Sequence, residues 1–385
     1  MIIKKNALLV GVDFDRIKSN VDESLDELQR LTDTYGIKTI DRVVQKRKKP
    51  NPKFFIGEGK VFEIKKICEE KKVSIVIFDD ELTPAQQRNL EEHILLRVID
   101  RTQLILNIFA QRARTPEAKL QIELAEKVYQ LPRLTGKGGS LAQQTGGIGL
   151  RAGFGEKKLE TDRRQIRDRI SYLKKEIEKI KYNRGIQRSK RQEVPLPVIS
   201  IVGYTNVGKS TFLNYLVAAH SPDVHQTGKC RTVYTDDKLF ATLDTTTRKI
   251  KLPDGKLVLF ADTVGFIKKL PHQLVAAFKS TMEEITESDL IIHLIDTSDP
   301  NHKDNEKTVM DVLLEIGADK LPVIDVHNKC DLSKARFARS ENSFCLSAKT
   351  GEGVDEFLRE ISHKLESNLL HRKILLPYNL FFLIG

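Results

Sequence analysis

Cysteine is scarce and scattered in this chain: Cys68, Cys230, Cys330 and Cys345 are the only four, and no two of them form a C-x-x-C pair. Neither a zinc cluster nor a disulfide framework is expected from that spacing, and a reducing compartment fits it. Long apolar runs are missing as well. Nothing approaches the roughly 20 apolar residues of a bilayer span, and Met1-Ile-Ile-Lys-Lys lacks the apolar core of a secretory signal. The apolar stretch Ile374 to Ile384 is short and broken by Pro377 and Asn379. It is expected to dock on a domain surface or to be the stump of a further domain, with peripheral membrane association as the alternative. The expectation is a cytoplasmic chain, monomeric when free, with no stable membrane insertion. Acidic residues fall short of basic ones, 53 Asp and Glu against 64 Lys and Arg, which leaves a net charge of +11. What the chain does have is room: 385 residues, 40% of them hydrophobic, suffice for two or three cores.

The sharpest feature is Gly203-Tyr204-Thr205-Asn206-Val207-Gly208-Lys209-Ser210-Thr211, which matches G-x-x-x-x-G-K-[ST] and follows the apolar run Val198-Ile-Ser-Ile-Val202. A buried strand feeding a glycine-rich turn that opens a helix is a phosphate cradle. Gly203 and Gly208 let backbone N–H groups converge on phosphate oxygens, Lys209 adds a point charge, and the Ser210 hydroxyl can ligate Mg²⁺. Downstream, Asp262-Thr263-Val264-Gly265 ends a second apolar strand, where Asp262 can hold Mg²⁺ through water and the Gly265 amide can meet a γ-phosphate.

The base is chosen by Asn328-Lys329-Cys330-Asp331 at the end of another apolar strand. Guanine offers donors at N1 and N2 to the Asp331 carboxylate, whereas adenine would leave that carboxylate unpaired. Asn328 is expected to add a polar contact to the same base, the stem of Lys329 to lie along its face, and the loop Ser347-Ala348-Lys349 to offer amides to guanine O6. The ligand so read is GTP or GDP.

The positive charge is concentrated. Between Glu156 and Arg191 stand fourteen Lys or Arg and six Asp or Glu, and Leu159, Ile166, Ile170, Leu173, Ile177 and Ile180 form a heptad seam with Arg163 at the missing position. Pro116 can start a helix whose Leu120, Leu124, Val128 and Leu131 give a matching stripe, so an antiparallel helical hairpin is expected. Between the helices, eight of the twenty residues from Gly136 to Gly155 are glycine. Such a tip, with Lys137 and Arg151, suits a phosphate-rich cleft such as ribosomal RNA, and Arg163, Arg164 and Arg167 are the helix residues expected to meet RNA. A solvated helix face is the bland alternative.

The first hundred residues alternate apolar runs with helical patterns and read as a small α/β domain with parallel strands. Ile56-Gly57-Glu58-Gly59-Lys60 suggests a turn at a helix N-terminus, a weak hint of a second nucleotide site, and Asp79, Asp80 and Glu81 read as a strand-end cap. The chain is thus expected to be α/β, with a P-loop NTPase G domain, an N-terminal α/β domain and a helical hairpin. The expected boundaries are 1–110, 111–192, 193–366 and a short segment 367–385.

Several longer runs make the sequence similar to the HflX family of translational GTPases: Ile77-Phe-Asp-Asp-Glu-Leu-Thr-Pro-Ala-Gln86, Ile99-Asp-Arg-Thr-Gln-Leu-Ile-Leu106, Ile108-Phe-Ala-Gln-Arg-Ala113, Leu159-Glu-Thr-Asp-Arg-Arg164 and Phe240-Ala-Thr-Leu-Asp244. The resemblance implies a cytosolic bacterial GTPase that binds the large ribosomal subunit and splits or rescues stalled ribosomes under stress, with the hairpin entering near the peptidyl-transferase centre. By the same resemblance the switch-I threonine for Mg²⁺ is Thr246, with Thr247 as rival, because Asp244-Thr245-Thr246 stands where the family usually has Asp-Pro-Thr. Where Ras-like enzymes orient the attacking water with a glutamine, this chain has Phe266, so slow intrinsic turnover is expected. Asn206 resembles the asparagine of cation-dependent GTPases that hold K⁺ against the phosphates; tightening the loop is its alternative role. Lys209, Thr246, Gly265 and Asn206 are the expected catalytic set. An RNA chaperone or ATP-driven helicase with GTP as a conformational switch, and a signalling GTPase with a protein effector, are the competing readings.

Overall fold

The structure, a computed structural model, describes residues 6–14, 21–134, 152–191, 196–222, 239–240, 245–269, 282, 284–332 and 343–367. Residues 136–151 of the glycine-rich tip, with Lys137 and Arg151, and the apolar tail 374–384 lie outside the described residues.

The N-terminal region builds a four-stranded, all-parallel sheet in the order β2-β1-β3-β4 from β1 (Asn6–Phe14), β2 (Lys38–Arg47), β3 (Ile75–Phe78) and β4 (Arg97–Asp100). The helices α1 (Val21–Tyr35), α2 (Glu58–Glu70), α3 (Pro84–Ile94) and α4 (Arg101–Arg112) intervene. Burial explains the composition: β3 is buried at all four positions, as parallel strands covered on both faces must be. The expected capping role of Asp79 is not what the structure shows. Thr83 starts α3 with a capping box to Gln86, Asp100 caps α4 through the Gln103 amide, and Asp79 is buried in ion pairs with Arg101 and Lys269. The turn at Gly57 does open α2, but its amide is taken by Gln45 Oε1 at 2.8 Å.

Helix α5 (Pro116–Gln130), capped by Thr115, packs with the following 3₁₀ turn Leu131–Leu134 against α6 (Ala152–Arg191). On α6 the expected seam is the covered face: Leu173 is buried, Leu159, Ile166, Ile170, Ile177 and Ile180 are half-buried, and their neighbours are mostly exposed. A two-pronged pair from Arg169 to Glu123, at 2.7 and 2.8 Å, fastens α6 to α5. The stripe expected on α5 is only half covered. Its fully buried face is Ala118, Ile122, Ala125 and Tyr129, with the Tyr129 hydroxyl on Asp100 at 2.8 Å, because α5 also packs on α4.

The second sheet has six strands in the order β10-β9-β8-β5-β7-β6, from β5 (Val198–Gly203), β6 (Thr246–Lys251), β7 (Leu257–Asp262), β8 (Leu290–Asp296), β9 (Val323–Asn328) and β10 (Ser343–Cys345). Only β6 runs antiparallel to its neighbour. Helices α7 (Lys209–His220), α8 (His302–Ile316) and α9 (Val354–Ser367) belong to the same region. The strand order reverses at β5, whose C-terminal end is where ligands bind in such sheets. One hydrophobic core runs through both sheets' regions. Leu239 and Phe240 join them, with the Leu239 amide on Thr34 Oγ1 at 3.2 Å and the Phe240 ring edge-on to Phe109 at 4.6 Å.

Candidate nucleotide site

The loop from Gly203 to Gly208 joins β5 to α7, and its geometry follows from its glycines. Gly208 has φ +96°, and a Cβ there would stand 2.6 Å from Asn328 Nδ2; a Cβ on Gly203 would stand 2.4 Å from the Leu294 carbonyl. Asn206 also adopts a left-handed backbone, φ +63°, which asparagine tolerates better than most residues. Its loop-tightening role is therefore visible, and its side chain is exposed.

Lys209 is buried, and Nζ donates to the carbonyls of Gly203 at 3.1 Å and Tyr204 at 2.7 Å. Burial pushes its pKa down to about 8, against the opposing pull of Asp262. Facing it is Gly265, where a Cβ would lie 2.9 Å from Thr205 Cγ2 and 3.0 Å from Lys209 Nζ. Only glycine leaves space there for a phosphate oxygen between the amide and the ammonium. The segment is held to the loop by reciprocal backbone bonds, Thr205 N–H to Phe266 O at 2.8 Å and Phe266 N–H to Gly203 O at 3.1 Å. Thr205 Oγ1 is buried with no hydrogen-bond partner in the protein, an orphan that an anion in the cradle would satisfy.

The three expected ligands for a divalent cation can each be placed. Ser210 Oγ donates to Asp262 Oδ2 at 2.7 Å, and antiparallel pairing sets Thr246 directly opposite Asp262, so the two project from one face of the sheet. Thr247 pairs with Ala261 and is exposed, which favours Thr246 of the two rivals. Hydroxyl and carboxylate oxygens are the hard ligands that suit Mg²⁺. Thr263 and Val264 are buried beneath the site, with the Thr263 hydroxyl on Ile201 O at 2.7 Å, while Thr211 is exposed on the first turn of α7.

At the base end, the structure gives Asn328 a different task from the expected base contact. It is buried, donates from Nδ2 to Val207 O at 2.7 Å and accepts the Ala348 amide at 2.8 Å, bracing the phosphate loop to the loop Ser347–Lys349. The Ala348 amide, expected to face guanine O6, is thus committed to Asn328, and the Ser347 amide is bound to Glu352 O at 3.0 Å. Lys329 Nζ is anchored on Asn206 O at 3.0 Å and Asp296 Oδ2 at 2.6 Å, so its stem bridges β9 to the phosphate loop. Asp296 carried no recognisable motif in the sequence. Asp331 is exposed, as a base reader must be. Cys330 and Cys345, far apart in sequence, come within hydrogen-bonding reach here. Burial and the neighbouring thiol push the Cys330 pKa up to about 11, and both cysteines are free.

Of the arginines expected to meet RNA, Arg164 and Arg167 are exposed on α6, Arg167 beside Glu160 at 3.7 Å. Arg163 differs: it is half-buried on the seam, with a buried Nε. Phe266 is buried in the core and presents no polar group to the phosphates.

A phosphate loop at the switch point of a mostly parallel sheet, a Ser–Asp–Thr oxygen set and an Asn-Lys-x-Asp strand end together define a P-loop GTPase. Three family models match in succession, described as GTP-binding GTPase N-terminal over residues 22–110, GTP-binding GTPase Middle Region over 112–191 and 50S ribosome-binding GTPase over 198–329. The proteins named GTPase HflX from Caldanaerobacter subterraneus and Escherichia coli are 44% and 42% identical to it. The matches cover 97% of this chain in both cases, and 84% and 86% of the relatives. The chain belongs to the HflX family of GTPases. A crystal structure of a GTP-binding protein from the archaeon Sulfolobus solfataricus in complex with GDP aligns over 94% of this chain and 99% of its own, at 25% identity and a TM-score of 0.46.

Proposed function

We propose that the chain binds GTP with Mg²⁺ across the four strand ends, hydrolyses it slowly when alone, and uses the cycle on the large ribosomal subunit to split or rescue stalled ribosomes. The observation that carries the GTP reading is the Asn328 brace, which couples the phosphate loop to the base-reading loop and leaves Asp331 exposed for guanine N1 and N2. Lys209 would exchange its two carbonyl partners for phosphate oxygens, and Gly265 would donate from the opposite side. Ser210, Thr246 and Asp262 would hold the ion. Mg²⁺ supplies neutralisation of the charge developing on the phosphates.

Two features favour a partner-completed enzyme. Phe266 is buried and cannot orient water, so the water must be ordered from elsewhere. K⁺ beside Asn206 would add positive charge where an arginine finger otherwise acts. Since Asn206 also serves the backbone at φ +63°, the informative variant is Asn206→Gly, which keeps the left-handed turn and removes the amide. Support for the ribosome comes from the family, from the 50S ribosome-binding description of the matched G domain, and from the basic surplus on α6. Sedimentation with purified large subunits tests it. Co-pelleting with a non-hydrolysable GTP analogue and release with GDP is the expected result, and equal pelleting with both nucleotides or with neither removes the proposal. Light scattering of intact ribosomes then tests splitting: a GTP-dependent fall is expected, and a constant signal with bound protein removes that part.

A further inference from the structure

Tyr204, the second residue of the phosphate loop, is tied into the N-terminal domain. Its hydroxyl accepts the Lys268 amide at 2.8 Å and donates to Glu27 on α1. The other Glu27 oxygen binds Nη2 of Arg101, a fully buried guanidinium whose Nη1 meets Asp79 Oδ1 at 2.8 Å. Asp79 Oδ2 in turn accepts Ser24 Oγ at 2.6 Å and Lys269 Nζ at 2.5 Å, and the same Nζ reaches Asp80 Oδ1 at 2.6 Å. Because Lys268 and Lys269 are adjacent, the contacts close into a ring that crosses twice between the two regions of the fold.

Both crossing points belong to the nucleotide machinery. Tyr204 lies in the loop that holds phosphates, and Lys268 and Lys269 follow Gly265 by three and four residues. Lys269 has a left-handed backbone, φ +56°, which a non-glycine residue keeps only when its surroundings fix it. The buried Asp79–Arg101 pair at its centre keeps its charges. Burial works against the charge of Asp79, but Arg101 and Lys269 outweigh it and hold the carboxyl below its usual range. Burial likewise opposes the charge on Arg101, yet Glu27 and Asp79 raise its pKa further.

We propose that Glu27, Tyr204, Asp79, Asp80 and Lys269 are positioning residues for the γ-phosphate. The N-terminal domain, by holding the segment just after Gly265, keeps that amide facing Lys209 across the phosphate gap. The proposal rests on the GTP-site reading and deepens it. GDP has no group in that gap, so the ring contributes more to GTP affinity and turnover than to GDP affinity.

Lys269→Met and Tyr204→Phe test this, with Lys269→Arg as the conservative control and Gly265→Ala as the control on the site itself. The measurements are affinities for a fluorescent GTP analogue and for the matching GDP, kcat and KM for GTP, and the melting temperature. Lys269→Met and Tyr204→Phe are each expected to weaken the GTP analogue about tenfold more than GDP, the scale of losing one charge-assisted or buried hydrogen bond, and to lower kcat. Lys269→Arg is expected to restore the preference for GTP. Equal losses for both nucleotides, or none for either, would overturn the proposal in favour of a merely structural ring. If Gly265→Ala keeps the GTP preference, the site reading has failed and the proposal with it. If Gly265→Ala abolishes the preference while the two ring variants keep it, only the positioning role is overturned.

Discussion

Asn328→Ala isolates the brace between phosphate loop and base loop. Asn328 is 2% exposed, and its amide satisfies the Val207 carbonyl at 2.7 Å and the Ala348 amide at 2.8 Å. Truncation leaves two buried backbone groups without partners, each at a cost of about 1–3 kcal/mol. Both loops end at the surface and can bend toward water, so the low end of that sum applies, about 2 kcal/mol. The nucleotide must restore the order of both loops on binding, so the cost falls on affinity and amounts to about 30-fold. Titration of fluorescent GDP, with circular dichroism to show the fold intact, reads it. Gly208→Ala should behave alike, because its Cβ would stand 2.6 Å from Asn328 Nδ2 at a backbone φ of +96°. Wild-type affinity in Asn328→Ala would refute the brace and return Asn328 to the direct base contact expected from sequence.

Asp331→Asn should lose guanine selectivity and admit xanthosine nucleotides, whose C2 carbonyl needs a donor; competition binding checks it, and an unchanged preference refutes the role of Asp331. For Lys209, whose pKa sits at about 8 in the free protein, phosphate favours the charged form, so nucleotide affinity should be full below that pH and fall by up to about tenfold per unit above it. The same depression makes the unfolded chain bind the extra proton between about 8 and 10.5, so stability of the nucleotide-free protein should rise with pH across that window. Reversing Arg164 and Arg167 to Glu should weaken large-subunit binding and flatten its salt dependence without changing GTP affinity. Arg163→Glu should instead lower the melting temperature, because Arg163 sits on the seam against α5.

The parts of the molecule that could be read from sequence are those with local grammar. The phosphate loop needs its strand, glycines and helix in one continuous stretch, and the seam of α6 repeats every heptad, so both are visible without neighbours. The ring of Glu27, Arg101, Asp79, Lys269 and Tyr204 is not, because its bonds join residues 22 to 190 positions apart and each charge alone resembles a surface residue. Asn328 illustrates a subtler limit. Its position in the motif was plain, but whether its amide faced the base or the protein depended on how closely β9 brought Val207 and Ala348 together. Cys330 and Cys345 were set apart by spacing rules that consider only sequence neighbours, and the parallel pairing of β9 with β10 brings them together.

GTP turnover by the pure chain, measured under single-turnover conditions in K⁺ with and without purified large subunits, addresses whether Phe266 leaves an enzyme that a ribosomal surface must complete. The expected result is near-idle hydrolysis alone and a rise of about 10³- to 10⁵-fold with subunits, as partner-supplied groups give elsewhere. Fast hydrolysis by the free chain, or a rate indifferent to added subunits, would contradict it.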